Sequence, residues 1–160
     1  SEYAVFNTDE TLLERAEAYA LSGKYAEALK DINTELTAFS KKKVQLTLDK
    51  IKDFYNSQAY YTPTKPTPKK ALNPLFAIEK TTQEPLLQCL LQLRRILTIH
   101  EGFRLQDVKR YGITMYRRQV DVQSKVDAVT DSMKVGDPRL AIQLPQDVIS
   151  AGITPNPRNK

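Results

Sequence analysis

The sequence contains no tryptophan, one cysteine, one histidine and only five glycines in 160 residues. A single cysteine, Cys89, excludes an intramolecular disulfide and a cysteine-based zinc site, and its leucine neighbours predict a buried, inert thiol. A single histidine excludes histidine-rich metal sites, and we expect His100 to cap a helix C-terminus. The scattered glycines form neither a phosphate-binding loop nor a dinucleotide fingerprint. We therefore predict no catalytic residues, no metal site, no cofactor and no enzymatic activity.

Long apolar runs are also missing from the chain. No stretch approaches the roughly 18 apolar residues of a membrane span, and the first residues lack the basic-then-apolar order of a signal peptide. An apolar content of 41% and a charged content of 27% are ordinary for a globular domain. We expect a soluble, intracellular protein, cytoplasmic or within a large particle, that does not span a membrane.

The net charge of +5 is distributed unevenly along the chain. Residues 1–40 carry three basic and eight acidic side chains, a net charge of −5, so the remaining residues carry +10. Residues 41–70 alone hold eight lysines against two aspartates. An acidic head on a basic body predicts either head-to-body contact between copies or an anionic partner for the body.

Residues 1–57 are predicted to form an acidic-headed helical hairpin. A first helix opens near Thr8 with an acidic first turn and ends at Gly23, and a second begins near Tyr25. The apolar phase of the second helix slips between Phe39 and Val44, which predicts a kink or a short break near Ser40. Whether residues 40–57 continue the second helix stays open at this point.

Part of this hairpin resembles a known repeat. Seven residues have the spacing of a tetratricopeptide-repeat hairpin over residues 9–37: Leu12, Ala16, Tyr19, Gly23, Tyr25, Ala28 and Ile32. The resemblance implies two closely packed antiparallel helices, with Tyr19 and Tyr25 in the wedge between them, and a role in protein interaction. No second copy follows about 34 residues later, so a peptide-binding solenoid is not predicted.

Residues 58–75 form a linker rich in proline and lysine. Its prolines have polyproline spacing and no helical period, so we interpret it as an extended spacer on the surface of this chain or of a neighbour. Pro63 and Pro66 form a P-x-x-P pair of the kind that aromatic grooves bind, and Tyr60 and Tyr61 precede them.

Residues 76–136 are predicted to form a helical core. A third helix, capped by Thr81 or Thr82 with Pro85 in its first turn, is apolar around most of its circumference, so we expect it to be the most buried element. The 4-3-4 spacing that ends at Met133 predicts a long amphipathic helix, with a strand over part of residues 119–129 as the alternative because of the valines. Residues 137–160 are read as an extended tail.

These elements predict an all-α fold, a small helical bundle with an extended linker and tail. The candidate polyanion-binding residues are Lys41, Lys42, Lys43, Lys69, Lys70, Lys109, Arg110, Arg117 and Arg118. The candidate protein-interaction residues are Glu10, Glu14, Glu17, Tyr60, Tyr61, Pro63 and Pro66, of which the three glutamates have helical spacing and predict an exposed acidic ridge.

Two functions agree with these patterns. The leading hypothesis is a non-enzymatic structural or interaction subunit of a larger assembly, which binds protein partners or copies of itself through helical faces and extended arms. The alternative is a coat or packaging protein that binds nucleic acid through its lysine and arginine clusters without reading base sequence.

Overall fold

A computed structural model of the chain describes residues 8–40, 43, 45–97, 104–141 and 145–157, with the backbone alone for residues 8–10. The described residues form six α-helices, one short 3-10 helix and one two-stranded antiparallel sheet. The chain divides into two compact units, the first from residues up to 70 and from 76–104, the second from 71–75 and from 105 onward. The fold is therefore mostly helical, and the expectation of a purely helical protein was wrong.

The first two helices form a hairpin closed by a glycine turn. Helix α1 spans Thr8–Leu21 and α2 spans Tyr25–Phe39. Gly23 has a φ of +76° and donates its N–H to the Ala20 carbonyl, while Lys24 donates to the Tyr19 carbonyl. Because a left-handed residue with these two hydrogen bonds satisfies the last free carbonyls of a helix, Gly23 ends α1 as predicted.

Helix α3 is separate from α2, and it spans Leu48–Ser57. The backbone at Ser40 is extended, which confirms the break expected there. The Thr47 hydroxyl caps α3 by accepting the N–H of Lys50 at 3.3 Å. The slip of apolar phase after Phe39 therefore marks the end of one helix and the approach to another.

Helix α4, Gln83–Leu97, is the most buried helix of the first unit, as predicted. Nine consecutive residues, 83–91, are buried, and α4 packs against α1, α2 and α3. The apolar residues of this core are Leu13, Ala16, Ala20, Ala28, Ile32, Ile51, Tyr55, Leu86, Leu87, Cys89, Leu90 and Leu91. None of the helices that the described residues form is long and apolar enough to cross a membrane.

We had expected the hydroxyl of Thr81 or Thr82 to cap the N-terminus of α4. The carboxylate of Glu79 caps it instead. The Glu79 carboxylate accepts the backbone N–H groups of Thr81, Thr82 and Gln83 at 2.6, 2.8 and 3.0 Å. A hydrogen bond from the Thr81 hydroxyl, followed by these backbone donors, lowers the pKa of Glu79 to about 2. A longer carboxylate side chain placed outside the helix thus reaches three donors that a threonine cap could not satisfy together.

Residues 59–70 form a loop that lies against α4. Tyr61 donates its N–H to the Lys69 carbonyl at 2.7 Å, so the two ends of the loop run side by side. The Gln88 side chain binds both backbone groups of Lys70, accepting its N–H at 3.0 Å and donating to its carbonyl at 2.6 Å. The Tyr60 hydroxyl donates to Glu84 at 2.8 Å. Side chains of α4 therefore fix both arms of this loop.

Helix α5, Arg104–Tyr111, lies in the second unit from Leu105 onward, and it buries Val108 and Tyr111. Gly112 follows α5 with a φ of +58°, and its carbonyl accepts the Asn73 side-chain amide at 3.3 Å. The N–H of Asn73 donates to the Tyr111 carbonyl at 2.8 Å. Residues 71–75 are thus held against the end of α5.

A β-hairpin stands where we had expected the long amphipathic helix. Strand β1, Met115–Val120, pairs with β2, Val126–Met133, around a turn in which the Asp121 carboxylate accepts the N–H groups of Gln123 and Lys125. Two bulges, at Asp127 and Thr130, interrupt the register of β2. Since a bulge adds one residue to a strand, residues three apart in β2 come to lie on one face, and this reproduces a helical spacing.

The hairpin is joined to the residues that follow it through Arg139. Its guanidinium forms ion pairs with Asp131 of β2 and with Asp137, and donates to the Ser132 carbonyl at 2.9 Å. The Arg139 hydrogen bonds lower the pKa of Asp137 to about 2. A 3-10 helix at Pro138–Leu140 and helix α6 at Gln146–Ser150 occupy a stretch that we had expected to be wholly extended.

Candidate functional site

A groove of about 1320 Å³ lies on the surface of the first unit. It lies along α2 and the connection from α2 to α3. We call it the lysine-rimmed groove, and its lining residues are Ala26, Leu29, Lys30, Asn33, Thr34, Thr37, Ala38, Lys43, Gln45, Leu46, Thr47 and Lys50. Helices α1 and α4 pack on other faces of α2, so this surface is open to solvent.

Asn33 builds one wall of the groove by holding the connection against α2. Its side-chain carbonyl accepts the N–H of Leu46 at 2.7 Å, and its amide donates to the Leu46 carbonyl at 2.9 Å. Both backbone groups of Leu46 are satisfied by one side chain, as they would be by a neighbouring strand. The position of Leu46 in the groove is therefore fixed by hydrogen bonds as well as by packing.

The floor of the groove is apolar and its rim is positive. Thr34 and Thr37 donate their hydroxyl groups to the carbonyls four residues earlier in α2, at 2.9 and 2.8 Å, so these hydroxyls are already bonded within the helix. Lys30, Lys43 and Lys50 are exposed at the rim, on α2, on the connection and on α3. Among the described residues that line the groove, none is acidic. The surface therefore offers apolar contact surrounded by three positive charges.

The predicted basic clusters are distributed over both units. Lys43 lies at the groove, whereas Lys41 and Lys42 lie outside the described residues. The ammonium group of Lys69 lies 4.5 Å from the centre of the Tyr60 ring, and that of Lys70 lies 3.3 Å from the centre of the Tyr61 ring. These two lysines therefore already make cation–π contacts within the loop of residues 59–70.

The basic residues of the second unit are exposed on a helix and on a strand. Lys109 and Arg110 lie in the last turn of α5, and the Arg110 guanidinium lies 6.0 Å from the centre of the Tyr111 ring. Arg117 and Arg118 are neighbours on β1, and both line a shallow depression of about 570 Å³. Its other lining residues are Gln119, Thr130 and Asp131.

The exposed acidic ridge that we predicted on α1 was wrong at Glu17. This residue is 4% exposed, and it forms an ion pair with Arg94 of α4, which is 8% exposed. Glu14 is exposed, and the side chain of Glu10 lies outside the described residues. Helical spacing placed the three glutamates near one face, but α4 covers that face at Glu17.

The interaction candidates Tyr60, Tyr61, Pro63 and Pro66 all lie in the loop of residues 59–70. Burial and the hydrogen bond to Glu84 raise the pKa of Tyr60 to about 12. Thr62 and Lys65 exchange backbone hydrogen bonds at 3.1 and 3.2 Å, so the chain turns between the two prolines. A groove that binds polyproline needs an extended segment, whereas this P-x-x-P pair spans a turn.

Reactive groups in the described residues are few and isolated. Burial raises the pKa of the Cys89 thiol to about 12, so it is protonated at neutral pH, in agreement with the inert buried thiol we expected. Among the described residues, no three side chains of histidine, cysteine, aspartate or glutamate come together in a group that could hold a metal ion.

Comparison of the chain with protein-family models, with curated proteins and with solved structures gave no match.

The groove itself was missed from the sequence, because Lys30 was counted with the acidic head and Lys50 only in the charge of residues 41–70. A signal was present at Asn33. Asparagine is unfavourable inside a helix unless its side chain bonds elsewhere, and here it binds the connection.

Proposed function

We propose that this chain is a non-enzymatic interaction subunit of a larger assembly, and that a partner protein docks in the lysine-rimmed groove. The observation that carries the proposal is the groove itself, which combines an apolar floor, a positive rim and a wall fixed by Asn33. A pre-formed concave surface lowers the entropy cost of binding because the protein does not have to order it.

The resemblance of residues 9–37 to a tetratricopeptide-repeat hairpin supports the same proposal, since that family acts in protein interaction. The loop of residues 59–70 supports the choice of the groove as the docking site. This proline-rich segment is tied to α4 on both arms and is not left free as an arm, so the groove is a better candidate for contact with a partner than the P-x-x-P pair.

A selection of random peptides tests this proposal. Fifteen-residue peptides displayed on phage are selected on the full chain, and their binding is measured again on the Ala26→Gln variant, in which a longer neutral side chain enters the groove from an exposed position of α2. We expect enriched peptides with micromolar dissociation constants that bind the variant at least tenfold more weakly. If the enriched peptides bind both proteins equally, the groove is not the docking site and the proposal fails.

A second candidate function is sequence-independent binding of nucleic acid through the second unit. The observation that favours it is the depression lined by Arg117 and Arg118, both exposed on β1, together with Gln119, Thr130 and Asp131. Guanidinium groups bind phosphate in a bidentate manner and stack on bases.

Titration of a 30-nucleotide single-stranded DNA at several salt concentrations tests this second candidate. If the two arginines contact phosphate, the slope of the logarithm of affinity against the logarithm of salt falls by about 0.7 for each residue in an Arg117→Gln, Arg118→Gln double variant. A slope that is unchanged in the double variant, or binding that does not depend on salt, removes this candidate.

A further inference from the structure

We infer that the segment docking in the lysine-rimmed groove is an acidic peptide that carries apolar side chains among its carboxylates. This inference rests on the proposed function and names the chemistry of its partner. It depends on the charge of the rim, the composition of the floor and the size of the groove.

Charge complementarity is the first argument. Lys30, Lys43 and Lys50 come from three different elements, so positive charge borders the groove on more than one side. Thr47, the cap of α3, also lines the groove, which places the positive end of that helix dipole at the same surface. Since none of the described lining residues is acidic, an incoming carboxylate meets only cations and neutral groups among them.

The floor distinguishes a peptide from a nucleic acid. Apolar contact is offered by Ala26, Leu29, Ala38 and Leu46. The lining residues that the structure describes include neither an aromatic residue nor an arginine, although single strands are commonly held by base stacking on such side chains. Aliphatic side chains of a peptide bury well against such a floor, whereas nucleobases find no stacking partner there.

The size of the groove favours a chain segment over a small molecule. Its volume of about 1320 Å³ exceeds the roughly 300–1,000 Å³ of typical small-molecule pockets. The groove follows the length of α2 from Ala26 to Ala38, more than three helical turns. A peptide lying along this helix can place apolar side chains on the floor and carboxylates at the lysines.

Three displayed libraries of twelve-residue peptides test the inference. In each library half of the positions are drawn from leucine, phenylalanine and alanine, and the other half from aspartate and glutamate, from serine and asparagine, or from lysine and arginine. We expect the acidic library to yield the tightest binders, which lose binding to the Ala26→Gln variant, whose added side chain fills space without adding charge. Each exposed charge pair contributes little by itself, so the three lysines are replaced together. We expect about tenfold weaker binding to the Lys30→Gln, Lys43→Gln, Lys50→Gln variant.

The matched control removes the same charge elsewhere. Lys65, Lys125 and Lys134 are exposed and do not line the groove, so their triple replacement by glutamine is expected to change peptide affinity less than twofold. Equal binding of the neutral library overturns the acidic partner and leaves the proposed function intact. If none of the selected peptides binds the Ala26→Gln variant more weakly than the unchanged chain, both the inference and the proposed function fail.

Two further results overturn the inference in favour of another occupant. One is displacement of the selected peptides by a 15-nucleotide oligothymidine at equal concentration, which assigns the groove to nucleic acid. The other is an oligomer of the full chain, measured by light scattering, that dissociates in the Ala26→Gln variant, which assigns the groove to a second copy. A mass that is the same for both proteins agrees with the peptide partner.

Discussion

Replacing Gly112 with alanine is expected to destabilise the second unit by about 4 kcal/mol. A Cβ atom at this position would lie 2.1 Å from the Asn73 carbonyl oxygen and 2.8 Å from a methyl group of Val135. The φ of +58° adds the cost of a left-handed conformation for an L-residue. Because the carbonyl is backbone, it cannot turn away as a side chain would. Hydrogen exchange of amides in residues 105–135 measures the loss.

Gly136 provides the matched control. It has a φ of +78°, but an added Cβ would meet nothing within 4 Å. Gly136→Ala therefore isolates the conformational cost, about 1 kcal/mol, from the steric clash. Equal destabilisation by the two substitutions would show that the contact with Asn73 does not matter, and that backbone conformation alone determines both effects.

The helices of the first unit could be predicted because their signals are local. Gly23 supplies the left-handed residue that ends α1, and the phase slip after Phe39 marks the end of α2 within a few residues. The apolar circumference of α4 predicted its central place. Each of these inferences depends on residues within one or two helical turns of one another, so a single sequence carries the information.

The β-hairpin was mispredicted for a definite physical reason. Val126 and Val129 lie opposite Val120 and Arg118, residues of β1 that share a face, so the two valines share a face although they are three residues apart. The bulge at Asp127 produces this spacing. The Asp121 turn and the valine content were the competing signals for strand, and they were given less weight than periodicity.

Long-range contacts account for most of what the sequence could not predict about the candidate site. Lys43 was identified, but its grouping with Lys30 and Lys50 depends on how the connection folds back on α2. Asn33 and Leu46 are 13 residues apart, and the hydrogen bonds between them define the wall. Glu17 and Arg94 are 77 residues apart, so the loss of Glu17 from the surface had no local signal.

Removing the guanidinium of Arg94 is expected to destabilise the first unit by about 3–5 kcal/mol, because it leaves a buried carboxylate without its cation. Arg94 and Glu17 are both nearly inaccessible, and they join α4 to α1. In an Arg94→Met variant, methionine replaces much of the apolar volume of arginine but none of its charge. Urea unfolding, monitored through hydrogen exchange of the α1 and α4 amides, gives the free energy of unfolding.

Replacing both partners together separates the electrostatic effect from packing. In a Glu17→Leu, Arg94→Met variant both charges of this pair are removed, and apolar side chains fill the site, so we expect a net loss below about 1 kcal/mol or a small gain in stability. The two single changes would then be strongly non-additive, which is the signature of a coupled buried pair. A double variant as unstable as the sum of the single variants would contradict this account. It would mean that α1 and α4 need the shapes of these two side chains rather than the neutralisation of one charge by the other.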